Sequence, residues 1–205
     1  MMADDVKPNL KPVPIEVLRP TQMTVGLREV AFKRHELRAL PNSKKGKFLG
    51  HHFIPAVLGP KGFYHIVDHH HLARALQEEG IREVFVTVIS DLSALDKEAF
   101  LIVLDNRSWM HPFDKSGVRR TYADIPKTVS GLTDDPFRSL AGDVLRNGGY
   151  AKSIVPFSEF LWADFFRRRF DAARLDDDFD KIAKQALKLA KTREANYLPG
   201  WCGPN

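Results

Sequence analysis

The chain has little cysteine and no long apolar run. Cys202 is the single cysteine in 205 residues, so no disulfide can close within the chain and no cysteine-based metal cluster can form. A reducing cytoplasm is the compartment this usage points to. No apolar stretch approaches the ~20 residues that span a bilayer, so no membrane partner is expected. The N-terminus opens with Asp4 and Asp5 and has no apolar core segment; it is read as lacking a secretory leader. Internal repeats and low-complexity tracts are absent too.

What is present is ordinary globular composition, 43% hydrophobic and 28% charged. The formal charge is +5 and the isoelectric point near 9.3. The excess is uneven: residues 1–75 hold 12 Lys and Arg against 6 Asp and Glu, and the remainder holds 19 against 20. A basic first third fits an anionic partner, a nucleotide or a nucleic acid, or else a solubilising surface. The oligomeric state is not legible.

Residues 1–12 carry Pro8 and Pro12 and read as a tail. Val13, Ile15 and Val17 alternate with Pro14 and Glu16, which predicts a short edge strand. Thr24 is placed to cap a helix reaching about Leu40. Pro41 to Lys47 reads as a basic loop. Phe53 to Leu58 and Phe63 to Val67 flank Gly59-Pro60-Lys61-Gly62, the pattern of a β-hairpin. A helix from about His69 to Glu79 ends at Gly80. Glu83 to Ser90 carries apolar residues on both faces and reads as a central strand; residues 63–90 then form a strand-helix-strand crossover. Asp96 caps a helix over about 97–107. Residues 108–150, rich in Pro, Gly and Asp, predict loops and short helices. Ser158 is placed to cap an aromatic helix, and Asp176 to Asp178 precede a final helix striped by Ile182, Ala186, Leu189 and Ala190. The expected class is α+β: a small mixed sheet with helices over 1–107, then a loop-rich and helical region over 108–205 packed on it.

Five of the eight histidines fall at His52, His65, His69, His70 and His71. Three follow Asp68 directly, where a strand hands over to a helix N-terminus. Free N–H groups and the helix dipole attract phosphate there, and strand ends open onto crevices. One reading is a phosphate or nucleotide cradle, with Asp68 holding a divalent cation or orienting a histidine and Arg74 adding positive charge. His70 and His71 would donate to phosphate or shuttle a proton. A second is a metal site built from two of the run plus His65 or His52. The third is structural: the histidines cap the helix and fill polar gaps.

At Asp68-His69-His70-His71-Leu72-Ala73-Arg74-Ala75-Leu76 the chain resembles the ParB/sulfiredoxin superfamily, and among its members the stand-alone bacterial ParB-like nucleases. Leu18-Arg19-Pro20-Thr21-Gln22, Val57-Leu58-Gly59-Pro60, Asp135-Pro136-Phe137-Arg138-Ser139-Leu140-Ala141 and Pro156-Phe157-Ser158-Glu159-Phe160 extend the likeness over nearly the whole chain. The resemblance implies a motif loop that binds nucleotide phosphates, with His70 and His71 as the paired histidines. Two positions depart from the pattern: His69 replaces a glycine and Leu72 an arginine. The chemistry of sulfiredoxin needs a loop cysteine that is absent here. The helix-turn-helix of partition proteins is not seen either.

The resemblance also implies Glu29 or Glu36 as a base on the early helix, with Gln22 and Lys33 nearby; from the residues alone, Glu29 and Lys33 form a surface pair. Lys127, Arg138 and Asp164 could close over the site. Phe157, Phe160, Trp162, Phe165 and Phe166 read as packing, and Arg167-Arg168-Arg169 as a solvated face or a nucleic-acid contact. The candidate catalytic set is thus Asp68, His70, His71 and Glu29. The phosphate set is His69, His70, His71, Arg74, Gln22 and Lys33, with Asp68 holding Mg²⁺. Three functions are compatible: metal-assisted phosphodiester hydrolysis, a non-catalytic nucleotide-binding module, and a nucleotide-dependent small-molecule kinase. The fold alone cannot choose among them.

Overall fold

In chain order the strands are β1 (Leu10–Pro14), β2 (Leu18–Pro20), β3 (Thr24–Val25), β4 (Ile54–Leu58), β5 (Tyr64–Ile66), β6 (Glu83–Asp91) and β7 (Thr133–Asp134). The helices are α1 (Leu27–Ala39), α2 (Asn42–His51), α3 (His70–Glu78), α4 (Lys97–Asn106), α5 (Pro136–Arg146), α6 (Ser158–Arg167), α7 (Ala172–Asp177) and α8 (Phe179–Ala190). These come from a computed structural model, which describes residues 10–204. The fold is α+β.

Five strands form one mixed sheet in the order β1-β6-β4-β5-β2. β1 and β2 sit at opposite edges, yet a single 3-10 turn, Ile15–Val17, joins them. Three residues reach no more than about 10 Å, so the sheet must curl until its edges approach. Pro12 and Pro14 fall in edge strand β1, where a missing N–H is tolerated. β6 lies inside the sheet between β1 and β4, with Val84 and Val86 buried.

One core lies between the sheet and helices α1 and α3. Leu18, Ile54, Ala56, Ile66 and Val86 meet Val30, Leu37, Leu72, Ala73 and Leu76 there. A second core belongs to α5–α8 and centres on Leu140, Trp162, Phe165, Phe166, Leu175 and Ile182. Each such side chain contributes ~1.5–3 kcal/mol when fully buried. Val57, Phe100, Leu104 and Met110 form a third core beneath α4. Helix α5 joins the two halves, packing on both α1 and α6. That contact is close: a Cβ on Gly26 would lie 2.6 Å from the backbone nitrogen of Ser139. Only glycine fits there.

Several elements differ from the sequence reading. Pro41 to Lys47 is the start of helix α2 rather than a loop, because Phe48 and Leu49 anchor the segment on the first core. Thr24 does not cap α1; it lies in β3, which pairs with β7, and Gly26 takes the cap position. Residues 63–90 are not a parallel crossover. β4 pairs antiparallel with β5 and parallel with β6, so β5 and β6 run in opposite directions with β4 between them. Leu10–Pro12, expected in the tail, begin β1, while the rest of that tail lies outside the described residues. The hairpin, α3, β6, the Asp96-capped α4 and the aromatic α6 stand where their residue patterns place them. In α8, Ile182, Ala186 and Ala190 are buried, and Leu189 packs against them.

Candidate functional site

The Asp-His-His-His segment turns sharply. β5 ends at Ile66, and the Val67 N–H donates to Pro55 O at 3.0 Å. His69 then takes left-handed backbone angles, φ 62° and ψ 26°, immediately before α3. This conformation costs an ordinary L-residue roughly 1–2 kcal/mol and glycine little. The position where the resembling proteins have glycine therefore keeps a glycine-like backbone. Two bonds hold it: the His69 N–H donates to Asp68 Oδ1 at 2.6 Å, and the His69 ring Nδ1 lies 3.0 Å from Phe53 O.

His70 and His71 face inward and serve the backbone. The Thr21 N–H donates to His70 Nε2 at 3.2 Å, and the Gly26 N–H donates to His71 Nε2 at 2.9 Å. The Thr21 hydroxyl closes the same corner by donating to Ile66 O at 2.8 Å. Both rings thus accept at Nε2, which makes each the neutral Nδ1–H tautomer. They tie α3 to the segment between β2 and α1. Burial pushes His70 down to about 3, with Arg138 and His69 adding to it and Asp68 opposing. Burial, then the charge of Arg138, holds His71 well below its usual range.

Two adjoining cavities of about 460 Å³ and 400 Å³ open over the motif. Asp68 and His71 of the motif line both, together with Arg138, Lys152 and Glu159 from the second half of the chain. The larger cavity runs on past Gln22, Ser108 and residues 153–160. The smaller runs along α1, past Glu29, Lys33 and Glu36, and past His69. The motif is thus one wall of a cleft whose other wall is α5, α6 and the segment before α6.

Arg138 lies at the junction and is 5% exposed. Its Nη2 donates to Glu159 Oε2 at 3.1 Å, and its guanidinium carbon sits 4.0 Å above the Phe160 ring. Leu72, where the resembling proteins have arginine, is buried in the first core. The guanidinium beside the motif comes from α5 instead. Arg74 does not supply it: Nη1 donates to the carbonyls of Val129, Ser130 and Leu132, Nε pairs with Glu78 at 2.6 Å, and the side chain lines neither cavity.

Both candidate bases line the smaller cavity, Glu36 exposed and Glu29 half-buried. The Glu29 Oε2 pairs with Arg146 rather than Lys33, and its Oε1 is buried without a hydrogen-bond partner. Gly142 leaves room for it, since a Cβ there would lie 2.5 Å from the Glu29 Cδ. Gln22 is buried, and its amide donates to Thr24 O at 2.7 Å.

The other candidates lie elsewhere. Asp164 faces a separate cavity beside Arg167 and Arg168, and Lys127 lines none of these cavities. The arginine triplet is engaged: Arg167 pairs with buried Asp135 at 2.5 Å, Arg168 with Asp164 at 2.7 Å, and Arg169 with Glu194 at 3.4 Å. Trp162, Phe165 and Phe166 are core, whereas Phe157 and Phe160 line the larger cavity and cluster around His111. His65 packs edge-on against Phe100, and burial, then Arg19, pushes it down to about 4. His52 lines the smaller cavity, stacked on Phe48.

Among the described residues no group of three or more His, Cys, Asp or Glu could hold a metal ion. Asp68 is the carboxylate of the motif, and one of its oxygens already accepts from the His69 N–H. Sequence reasoning missed Lys152, Glu159 and Arg146. They are ordinary surface residue types whose approach to the motif depends on how α5 and α6 dock.

A comparison with solved structures finds the crystal structure of protein Atu1540 from Agrobacterium tumefaciens, 49% identical, with a TM-score of 0.89, covering 97% of this chain and all of that one. A comparison with curated proteins finds no match. No helix among the described residues is long and apolar enough to cross a membrane. The family model described as "Putative ParB-like nuclease" matches residues 11–168, from β1 through α6, and the chain belongs to that family.

Proposed function

We propose that the protein binds a phosphate ester, a nucleotide or a nucleic-acid terminus, in the cleft between the motif and the C-terminal helices. The observation that carries this reading is the shared boundary of the two cavities, where Arg138 and Lys152 meet the start of α3. A fixed guanidinium, an ammonium and a helix N-terminus are three independent attractions for phosphate oxygens. Lys33 and Arg146 add positive charge to the smaller cavity.

Phosphodiester hydrolysis, which the family description suggests, would run here on a carboxylate base. The Nε2 lone pairs of His70 and His71 are occupied by backbone donors, so neither can accept a proton there without breaking the tie to the segment between β2 and α1. Glu29 has one oxygen without a partner, buried in this structure, and would act as the base on turning that oxygen toward the ligand; Asp68 is the second candidate. Mg²⁺ would need the ligand's own phosphates to complete its shell around Asp68. The locked histidines equally support a second reading, a nucleotide-binding module without turnover.

Calorimetric titration with ATP, ADP, CTP and a short DNA oligonucleotide, with and without Mg²⁺, tests the binding claim. Lys152→Ala should weaken the ligand that binds by roughly tenfold, the scale of one charged hydrogen bond. Absence of binding by every ligand would sink the reading. Among ligands that bind, hydrolysis lost in Glu29→Gln with affinity kept would select the enzyme over the module.

A further inference from the structure

Arg138 is a buried cation with too few partners. A guanidinium offers five N–H donors. Among the described residues its side chain makes one hydrogen bond, from Nη2 to Glu159. Its Nε is buried with no partner at all. The stacked Phe160 ring covers one face and supplies no acceptor. Asp135, another carboxylate close enough to act on it, is engaged by Arg167 at 2.5 Å and by the Phe137 N–H at 3.0 Å. A buried charge held this loosely is costly, and an unsatisfied buried donor calls for an explanation.

Glu159 gives one. It stands in the first turn of α6, where the helix dipole favours negative charge. Its side chain is 39% exposed while Arg138 is 5% exposed, so the glutamate is the partner with open space to turn into. Both residues line both cavities. The carboxylate already takes one N–H donor of Arg138.

We propose that Arg138 is the anion receptor of the cleft and that Glu159 is a built-in competitor, which a phosphate group of the ligand displaces to gain a second acceptor contact on the guanidinium. This rests on the phosphate-ester reading above and adds which residue takes the phosphate and what gates it. The ligand class it selects carries two negative charges on one group, since such a group outcompetes a single carboxylate. A terminal phosphate or a pyrophosphate is favoured over the singly charged internal diester of a nucleic-acid strand.

The test is a double-mutant cycle read by calorimetry. The probes are inorganic pyrophosphate, ADP and an oligonucleotide without terminal phosphate. Glu159→Gln keeps the size and most of the exposure of the side chain and removes the charge. It should tighten pyrophosphate and ADP by about twofold to fivefold, the scale of one part-exposed charge pair. Arg138→Lys should weaken both by at least tenfold, and in that background Glu159→Gln should have a much smaller effect. Thermal melts check that each variant folds. Equal affinity of wild type and Glu159→Gln, with Lys152→Ala still weakening the ligand, would overturn the gate and leave the phosphate-ester reading standing. Preference for the oligonucleotide lacking a terminal phosphate would overturn the ligand class. Absence of binding by wild type, Glu159→Gln and every probe would overturn both.

Discussion

Replacing His70 by glutamine should flatten the acid limb of the protein's stability. In the folded chain His70 is buried and neutral, and its Nε2 accepts the Thr21 N–H. Its folded value is about 3 against an ordinary 6.5. Protons therefore bind the unfolded state first. The stability carried by the neutral ring is fully present above about pH 6.5 and is lost as pH falls through the window down to about 3. One such group costs about 1.4 kcal/mol per pH unit, or about 2 kcal/mol between pH 6.5 and 5. That is a large share of a stability of roughly 5–15 kcal/mol. His65, His71 and His111 are lowered as well and act in the same direction. Glutamine offers an acceptor for Thr21 but cannot be protonated. Urea unfolding at several pH values measures the slope. Wild type should lose stability steeply below pH 6.5, and His70→Gln should remove about one proton's worth of that slope. Identical slopes for the two proteins would mean that His70 titrates normally and is not locked against Thr21.

Further outcomes follow from the same contacts. Gly26→Ala should cost about 1–3 kcal/mol, seen as a lower Tm, because the new Cβ meets backbone of α5 at 2.6 Å and helix packing must shift. Arg74→Ala should destabilise by about 1–3 kcal/mol, since the carbonyls of Ser130 and Leu132 lose this donor and Val129 O keeps only the Leu132 N–H, yet leave ligand affinity unchanged; a loss of affinity without a loss of Tm would put Arg74 in the site after all. His69→Gly should change stability by no more than about 1 kcal/mol, because relief of the left-handed backbone offsets the lost ring contact with Phe53 O.

Much of the fold could be read from local pattern. The hairpin showed in two apolar runs around Gly59-Pro60-Lys61-Gly62, and α4 in its Asp96 cap. What failed was pairing and docking. The order of strands in the sheet depends on long-range contacts, so residues 63–90 looked like a parallel crossover when β4 in fact separates the two strands. Helix α2 was hidden because its residues are polar and basic, and only Phe48 and Leu49 tie it down. The motif itself stood out, and its position at the end of β5 and the start of α3 was legible. The orientation of its side chains was not. Adjacent histidines look interchangeable in sequence, yet His69 turns outward on a left-handed backbone while His70 and His71 bind backbone N–H groups. In the sequence the charge at Arg74 belongs with the motif because it lies one turn along α3. The guanidinium that lines both cavities is instead that of Arg138, on α5, and the docking of the C-terminal helices brings it there.

Whether a phosphate group binds where the two cavities meet is tested most directly by a crystal structure of the protein grown with ADP and Mg²⁺. Phosphate density is expected at the cavity junction, within hydrogen-bond distance of Arg138 and Lys152, with the Glu159 carboxylate moved off Arg138. Phosphate density elsewhere on the surface, or an empty junction at saturating ADP with the Arg138–Glu159 pair intact, would contradict it.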